Sequence, residues 1–157
     1  MPLLGEYEPS PDKRAREQVA LYEASGGTKG NTIMGMPVVV ITSVGAKSGN
    51  LRKTPLMRVE HEGVYAVVAS NGGSDVHPVW HYNLLAEPHV ELQDGPAPQD
   101  MRARLASGDE RSLWWDRAVA AFSYYAGYAK KAAREIPVFI IEPAIIEPAS
   151  EQGLPQT

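Results

Sequence analysis

The 157-residue chain contains no cysteine. That excludes disulfides, thiolate zinc sites, iron–sulfur ligation and a cysteine nucleophile. No apolar run approaches the roughly 20 residues that span a bilayer. The opening MPLLGEYEPSPDKR lacks the apolar core of a secretory signal, so the cytoplasm is the expected location. The net charge of −4 argues against a globally basic nucleic-acid binder. The acids are unevenly spread. None occurs between positions 24 and 59, a stretch that holds Lys29, Lys47, Arg52, Lys53 and Arg58, a local +5. Such an asymmetry points to a pocket for an anion. The alternative is exposed cations paired with acids from elsewhere in the chain.

What is present fits one domain. The hydrophobic fraction is 43% and the charged fraction 22%, close to globular averages. Residues 1–11 read as an irregular arm, and 12–24 (DKRAREQVALYEA) as a helix with a modest apolar stripe, stopped by Gly26-Gly27. Residues 28–36 read as a Gly-rich loop. The β-branched run 37–43 (PVVVITS) predicts a buried strand, 51–61 (LRKTPLMRVEH) a second, and 64–70 (VYAVVAS) a third. A short helix is expected over 77–86, strands over 89–93 and 100–105, and a turn over 94–98. Ser107 and Glu110 form an S-x-x-E pattern that predicts a capping box for the next helix. A second helical piece over 124–134 and a strand over 137–141 follow, then a repeated EPA phrase and a tail. The sum, about six strands that do not alternate with helices, predicts an α+β fold. The expected architecture is a mostly antiparallel barrel with flanking helices.

Four segments carry chemistry. The turn Gly45-Ala46-Lys47-Ser48-Gly49-Asn50-Leu51-Arg52 combines small residues with two cations. Backbone N–H groups can approach a ligand there, and Lys47 and Arg52 can make charge-assisted hydrogen bonds to phosphate. The P-loop spacing is missing and no helix follows. The segment Ser70-Asn71-Gly72-Gly73 ends a buried strand and permits close passage of a flat or anionic ligand. His77 and His81 stand at zinc spacing, but Pro78 occupies the glutamate position of H-E-x-x-H and no third ligand is evident, so no metal is expected. Phe122, Tyr125 and Tyr128 recur every three residues. They read either as core or as an aromatic wall over a substrate. No Ser/His/Asp set or close carboxylate pair accompanies these motifs.

Taken in order, G-x-K-S-G-x-x-R-x-x-P-L at 45–56, A-S-N-G-G at 69–73, H-P-x-W-x-x-N-L at 77–84 and I-P-V ahead of Glu142-Pro143 resemble the deazaflavin (coenzyme F420)-dependent nitroreductase and quinone reductase family of actinobacteria. The resemblance implies a split β-barrel, flavin-reductase-like, that holds reduced F420, a deazaflavin with a phosphate and an oligoglutamate tail. It assigns Ala46, Lys47, Ser48, Gly49 and Arg52 to the phosphate and tail. It assigns Pro55, Leu56, Met57, Val68, Ala69, Ser70 and Asn71 to the ring, closed over by Pro78, Val79, Trp80 and Asn83. Tyr125 and Tyr128 become substrate contacts, with Ser70 or Tyr128 as hydrogen-bond donor to the acceptor.

Three positions depart from the pattern: Asn71 stands at a lysine position, Met57 at a tyrosine position beside the ring, and Phe122 at a tyrosine position of the wall. Quinone or enone reduction is therefore the expected class ahead of nitroimidazole-prodrug activation, with nitroaromatics as further acceptors. An FMN-dependent barrel enzyme and a non-catalytic deazaflavin carrier are the competing readings. The expected domain plan is an arm, helix and lid over 1–36, a cofactor-binding barrel over 37–143, and a flexible tail over 144–157. The partner is a small acceptor molecule, with no nucleic acid, weak contact with a membrane surface through the basic first helix, and a monomeric or homodimeric state.

Overall fold

A computed structural model describes residues 3–144. The tail at 145–157 and the second EPA phrase lie outside the described residues. Helix α1 (Lys13–Ser25) begins at Asp12, whose carboxylate accepts the N–H groups of Arg14 and Ala15. It ends at Gly26 in the left-handed conformation (φ 63°). Its buried residues are Val19 and Tyr22. Strands β1 (Thr32–Ile33), β2 (Met36–Val44), β3 (Leu51–Met57), β4 (Val59–His61) and β5 (Val64–Val68) follow. Then come α2 (Val79–Ala86), β6 (His89–Gln93), β7 (Pro98–Leu105), α3 (Gly108–Ala121), α4 (Tyr124–Lys131) and β8 (Val138–Pro143).

The eight strands form one sheet in the order β1-β2-β6-β7-β8-β5-β4, with β3 also paired to β2. All strand pairs are antiparallel. This is the expected α+β split barrel with helices outside. Among the described residues no helix is long and apolar enough to cross a membrane.

Period-2 alternation places a core on each face of the sheet. On one face Val38 and Val40 of β2, Ala66 of β5 and Val138 and Ile140 of β8 pack with Val19, Tyr22, Trp114, Ala118, Phe122 and Tyr125. On the other, Val39, Ile41, Val67, Phe139 and Ile141 pack with Trp80 and Leu84 of α2. A strand covered on both sides reads as an unbroken apolar run, which is why 37–43 was legible as buried.

Four local expectations are corrected. The strand over 51–61 is two strands: β3 pairs with β2 and β4 with β5, so the chain changes partner at Arg58. The loop over 28–36 contains a small hairpin, with Thr32 opposite Pro37 and Ile33 opposite Met36. Its turn residues Met34 (φ 53°) and Gly35 (φ 77°) both take positive φ, the mirror-type turn that suits hairpins. The capping box of α3 does not form. Ser107 makes no side-chain cap bond, and Arg104 holds Glu110 with bonds of 2.7 and 2.8 Å. Finally, α4 stops at Lys131 rather than 134, because Asp75 accepts the Ala133 N–H (2.9 Å) and Arg134 turns back into the 69–77 loop.

Candidate active site

Two neighbouring hollows share strand β3 and helix α2. The first, about 290 Å³, is lined by Pro55, Leu56 and Met57 from β3, and by Val68, Ser70, Asn71 and Gly72 at the end of β5. Pro78 and Trp80 close one side, Phe122, Tyr125 and Tyr128 form the far wall, and Ile33 and Met34 stand at the mouth. The aromatic stripe is both core and wall. Phe122 and Tyr125 are each 5% exposed, and their rings meet edge to face at 5.1 Å (76°). Tyr128 packs on Tyr125 at 6.3 Å. Burial, reinforced by the neighbouring Tyr128, pushes the Tyr125 phenol well above its usual range, so it stays a protonated donor at neutral pH. Among the described residues no hydrogen bond engages the hydroxyls of Ser70, Tyr125 or Tyr128. They remain available to whatever enters. Ala69, wholly buried in the second core cluster, lines neither hollow.

The loop after β5 is held unusually firmly. Asn71, Gly72 and Gly73 take positive φ in succession (48°, 64°, 83°). A Cβ on Gly73 would sit 3.1 Å from Tyr128 Cα and 3.3 Å from Tyr128 O. Glycine there lets α4 press against the loop and sets where Tyr128 stands. Arg134 binds the same loop with five hydrogen bonds, to the carbonyls of Ala69, Ser70, Ser74 and Val76 and to His77 Nδ1. Nothing in the sequence signalled Arg134, whose partners lie 57 to 65 positions away.

His77 and His81 stack at 4.1 Å. Burial lowers both imidazole pKa values, aided by Arg134 and, for His81, by His77. Arg134 donates to His77 Nδ1, which makes that nitrogen an acceptor and the ring neutral. The pair is a packed element beneath the loop; among the described residues no group of three possible ligands could hold a metal.

The second hollow, about 460 Å³, is lined by Gly45, Ala46, Lys47, Ser48 and Arg52 with Val79, Tyr82 and Asn83 of α2, and by Glu8 of the N-terminal arm. The turn closes on itself: Gly45 N–H donates to Asn50 O (2.8 Å) and Gly49 N–H to Gly45 O (2.9 Å). Gly49 shapes the turn (φ 76°) and lines neither hollow. Asn83 Oδ1 accepts the Ala46 N–H at 2.9 Å, so it fixes the turn against α2. No sequence motif singles out Tyr82 or Glu8. Arg52 of one hollow and Leu56 of the other are four residues apart on the same face of β3, about 13 Å, and α2 borders both, so one elongated molecule can reach both hollows.

The local +5 is narrower than the sequence suggested. Lys53 pairs with Glu23, and Arg58 pairs with Asp94 (2.8 Å) and Glu60 (3.7 Å). Among the described residues Lys47 has no partner, and Arg52 meets only Glu8, at 3.4 Å. Lys29 lines neither hollow, so the cations that face one are those of the turn.

Against known proteins, the profile of the F420H(2)-dependent quinone reductase family matches residues 14–143. An F420H(2)-dependent quinone reductase of Mycobacterium tuberculosis (strain ATCC 25618 / H37Rv) is 31% identical over 126 residues, 78% of this chain and 85% of that protein. A solved F420-H2 dependent reductase (FDR-A) is 51% identical with a TM-score of 0.65, covering 68% of this chain and 94% of that one. Another solved relative, a domain-swapped dimer, is 47% identical with a TM-score of 0.67, covering 85% of this chain and all (100%) of that one. A two-part hollow on a split barrel, four motifs in order and a profile match from residue 14 to 143 agree: the chain belongs to the F420H(2)-dependent quinone reductase family.

Proposed function

We propose that the chain is a reductase that uses reduced F420 to reduce a quinone, with enones and nitroaromatics as further acceptors. The observation that carries this reading is the pairing of an apolar, hydroxyl-studded hollow with an anion clasp on the same strand. The residues fit the cofactor. A carboxylate, that of Glu8, already lies against Ser48 and Asn50 (3.3 Å each) and Arg52 (3.4 Å), so the clasp accepts an oxyanion. Ser48, Lys47 and Arg52 would hold phosphate and tail carboxylates through charge-assisted hydrogen bonds. Pro55, Leu56, Met57, Val68 and Trp80 would pack the ring and exclude water.

Reduced F420, when bound, supplies a hydride from the carbon that replaces the flavin N5. The chain supplies position and electrostatics. Tyr125 and Phe122 wall the acceptor in. Tyr128 and Ser70 donate hydrogen bonds to the acceptor oxygen as negative charge develops on it. Tyr125, kept protonated by burial, acts as a donor and not as a base. The hairpin bearing Ile33 and Met34 borders the mouth and limits water access. The 47%-identical domain-swapped dimer supports a homodimer for this chain as well, read by sedimentation as twice the 17.1 kDa mass.

The test is oxidation of reduced F420 by a panel of quinones, nitroaromatics and enones, with parallel titrations of F420 and FMN. Tight F420 binding with quinone-dependent oxidation is expected. Tight binding without oxidation by any acceptor would mark a carrier, and preference for FMN would mark a flavin enzyme.

A further inference from the structure

The anion clasp already holds an anion, and the chain itself provides it. The N-terminal arm runs along β3: Leu51 N–H donates to Glu6 O (2.7 Å) and Glu8 N–H to Leu51 O (2.9 Å). That pairing delivers the Glu8 side chain into the hollow it shares with Lys47, Ser48 and Arg52. One carboxylate oxygen accepts from Ser48 Oγ and Asn50 Nδ2, each at 3.3 Å. The other lies 3.4 Å from Arg52. A backbone-tethered group is present at high effective concentration, so Glu8 engages the clasp whenever no stronger anion does.

Building on the proposed function, we propose that Glu8 is a specificity-determining residue, a resident competitor that an incoming anion must displace. A singly charged group only replaces the interaction it breaks, so the exchange is close to neutral. A phosphate with neighbouring carboxylates brings further charge to Lys47, which has no partner among the described residues, and wins the exchange. Glu8 is 45% exposed and Arg52 24%, so the displaced carboxylate can turn into water without unpairing the arm. Glu8 thereby selects for polyanionic ligands, and deleting its charge tightens their binding.

The test is a fluorescence titration of the full chain with F420 and with its riboside, the same ring without phosphate or glutamates. Glu8→Gln and Glu8→Ala should bind F420 about tenfold more tightly, the scale of one charge-assisted interaction. Riboside affinity should not change. A gain in affinity cannot arise from misfolding. Unchanged or weaker F420 binding in both variants, or equal tightening of F420 and riboside, overturns the proposal. Arg52→Ala separates the two levels. If F420 binds, weakens in Arg52→Ala and ignores Glu8→Gln, the competitor role alone fails. If F420 binds to no variant, the proposed function fails and takes this inference with it.

Discussion

The two hollows are built on opposite principles. The ring hollow is an extension of the core: Phe122, Tyr125 and Trp80 are buried on both counts, as packing and as wall. Its floor is a loop of positive-φ residues pinned by Arg134. The anion clasp is a surface turn whose Ala46, Lys47, Ser48 and Gly49 are exposed, kept in place by backbone bonds and by Asn83. Rigid packing suits a flat apolar body that must be oriented to within fractions of an ångström. Exposed charges suit a flexible polyanion. Substitutions in the first region should therefore harm stability and turnover together. Substitutions in the second should alter affinity alone.

The sharpest way to break this contrast is Arg134→Ala. It removes five hydrogen bonds to one loop, and urea unfolding should show a loss of roughly 3 kcal/mol with turnover falling as well. Gly73→Ala comes next. The new methyl would meet Tyr128 backbone at 3.1 Å with φ at 83°, a cost of about 2 kcal/mol, and kcat should fall because Tyr128 is displaced. Tyr128→Phe keeps the wall and removes one donor; kcat should drop about tenfold, near 1.4 kcal/mol, with F420 affinity unchanged. Wild-type kcat in that variant would reduce Tyr128 to packing.

Acid sharpens the contrast least. His77 and His81 have folded pKa values below the ordinary 6.5, so below that pH the unfolded chain binds more protons than the folded one. Their stability contribution is complete above pH 6.5 and declines as pH falls through the lowered folded values. Denaturant midpoints followed against pH should show this decline, and replacing both histidines should flatten it.

The sequence exposes the first region's skeleton and hides its fastenings. The run at 37–43 reads as a buried strand because both faces are apolar, and Asp12 and Gly26 mark the ends of α1 by ordinary capping chemistry. The glycines at 72 and 73 signal an unusual backbone. What local patterns miss is settled at long range. Arg104 draws Glu110 away from the expected capping box. Arg58 ends one strand by reaching Asp94, 36 positions away. Arg134 has no local feature that distinguishes it from a surface arginine. In the clasp, Lys47, Ser48 and Arg52 were legible from their turn. Glu8 was not, because its contacts lie 40 and 42 positions away, and charge counting along the chain assigned Lys53 and Arg58 to a pocket they do not line.

The division of labour between hollows is tested most directly by comparing F420 with its riboside on wild-type and Arg52→Ala protein. F420 affinity should fall by about 1–3 kcal/mol in the variant while riboside affinity holds. Equal losses for both ligands, or no loss for either, would contradict the assignment of ring and anionic tail to separate regions.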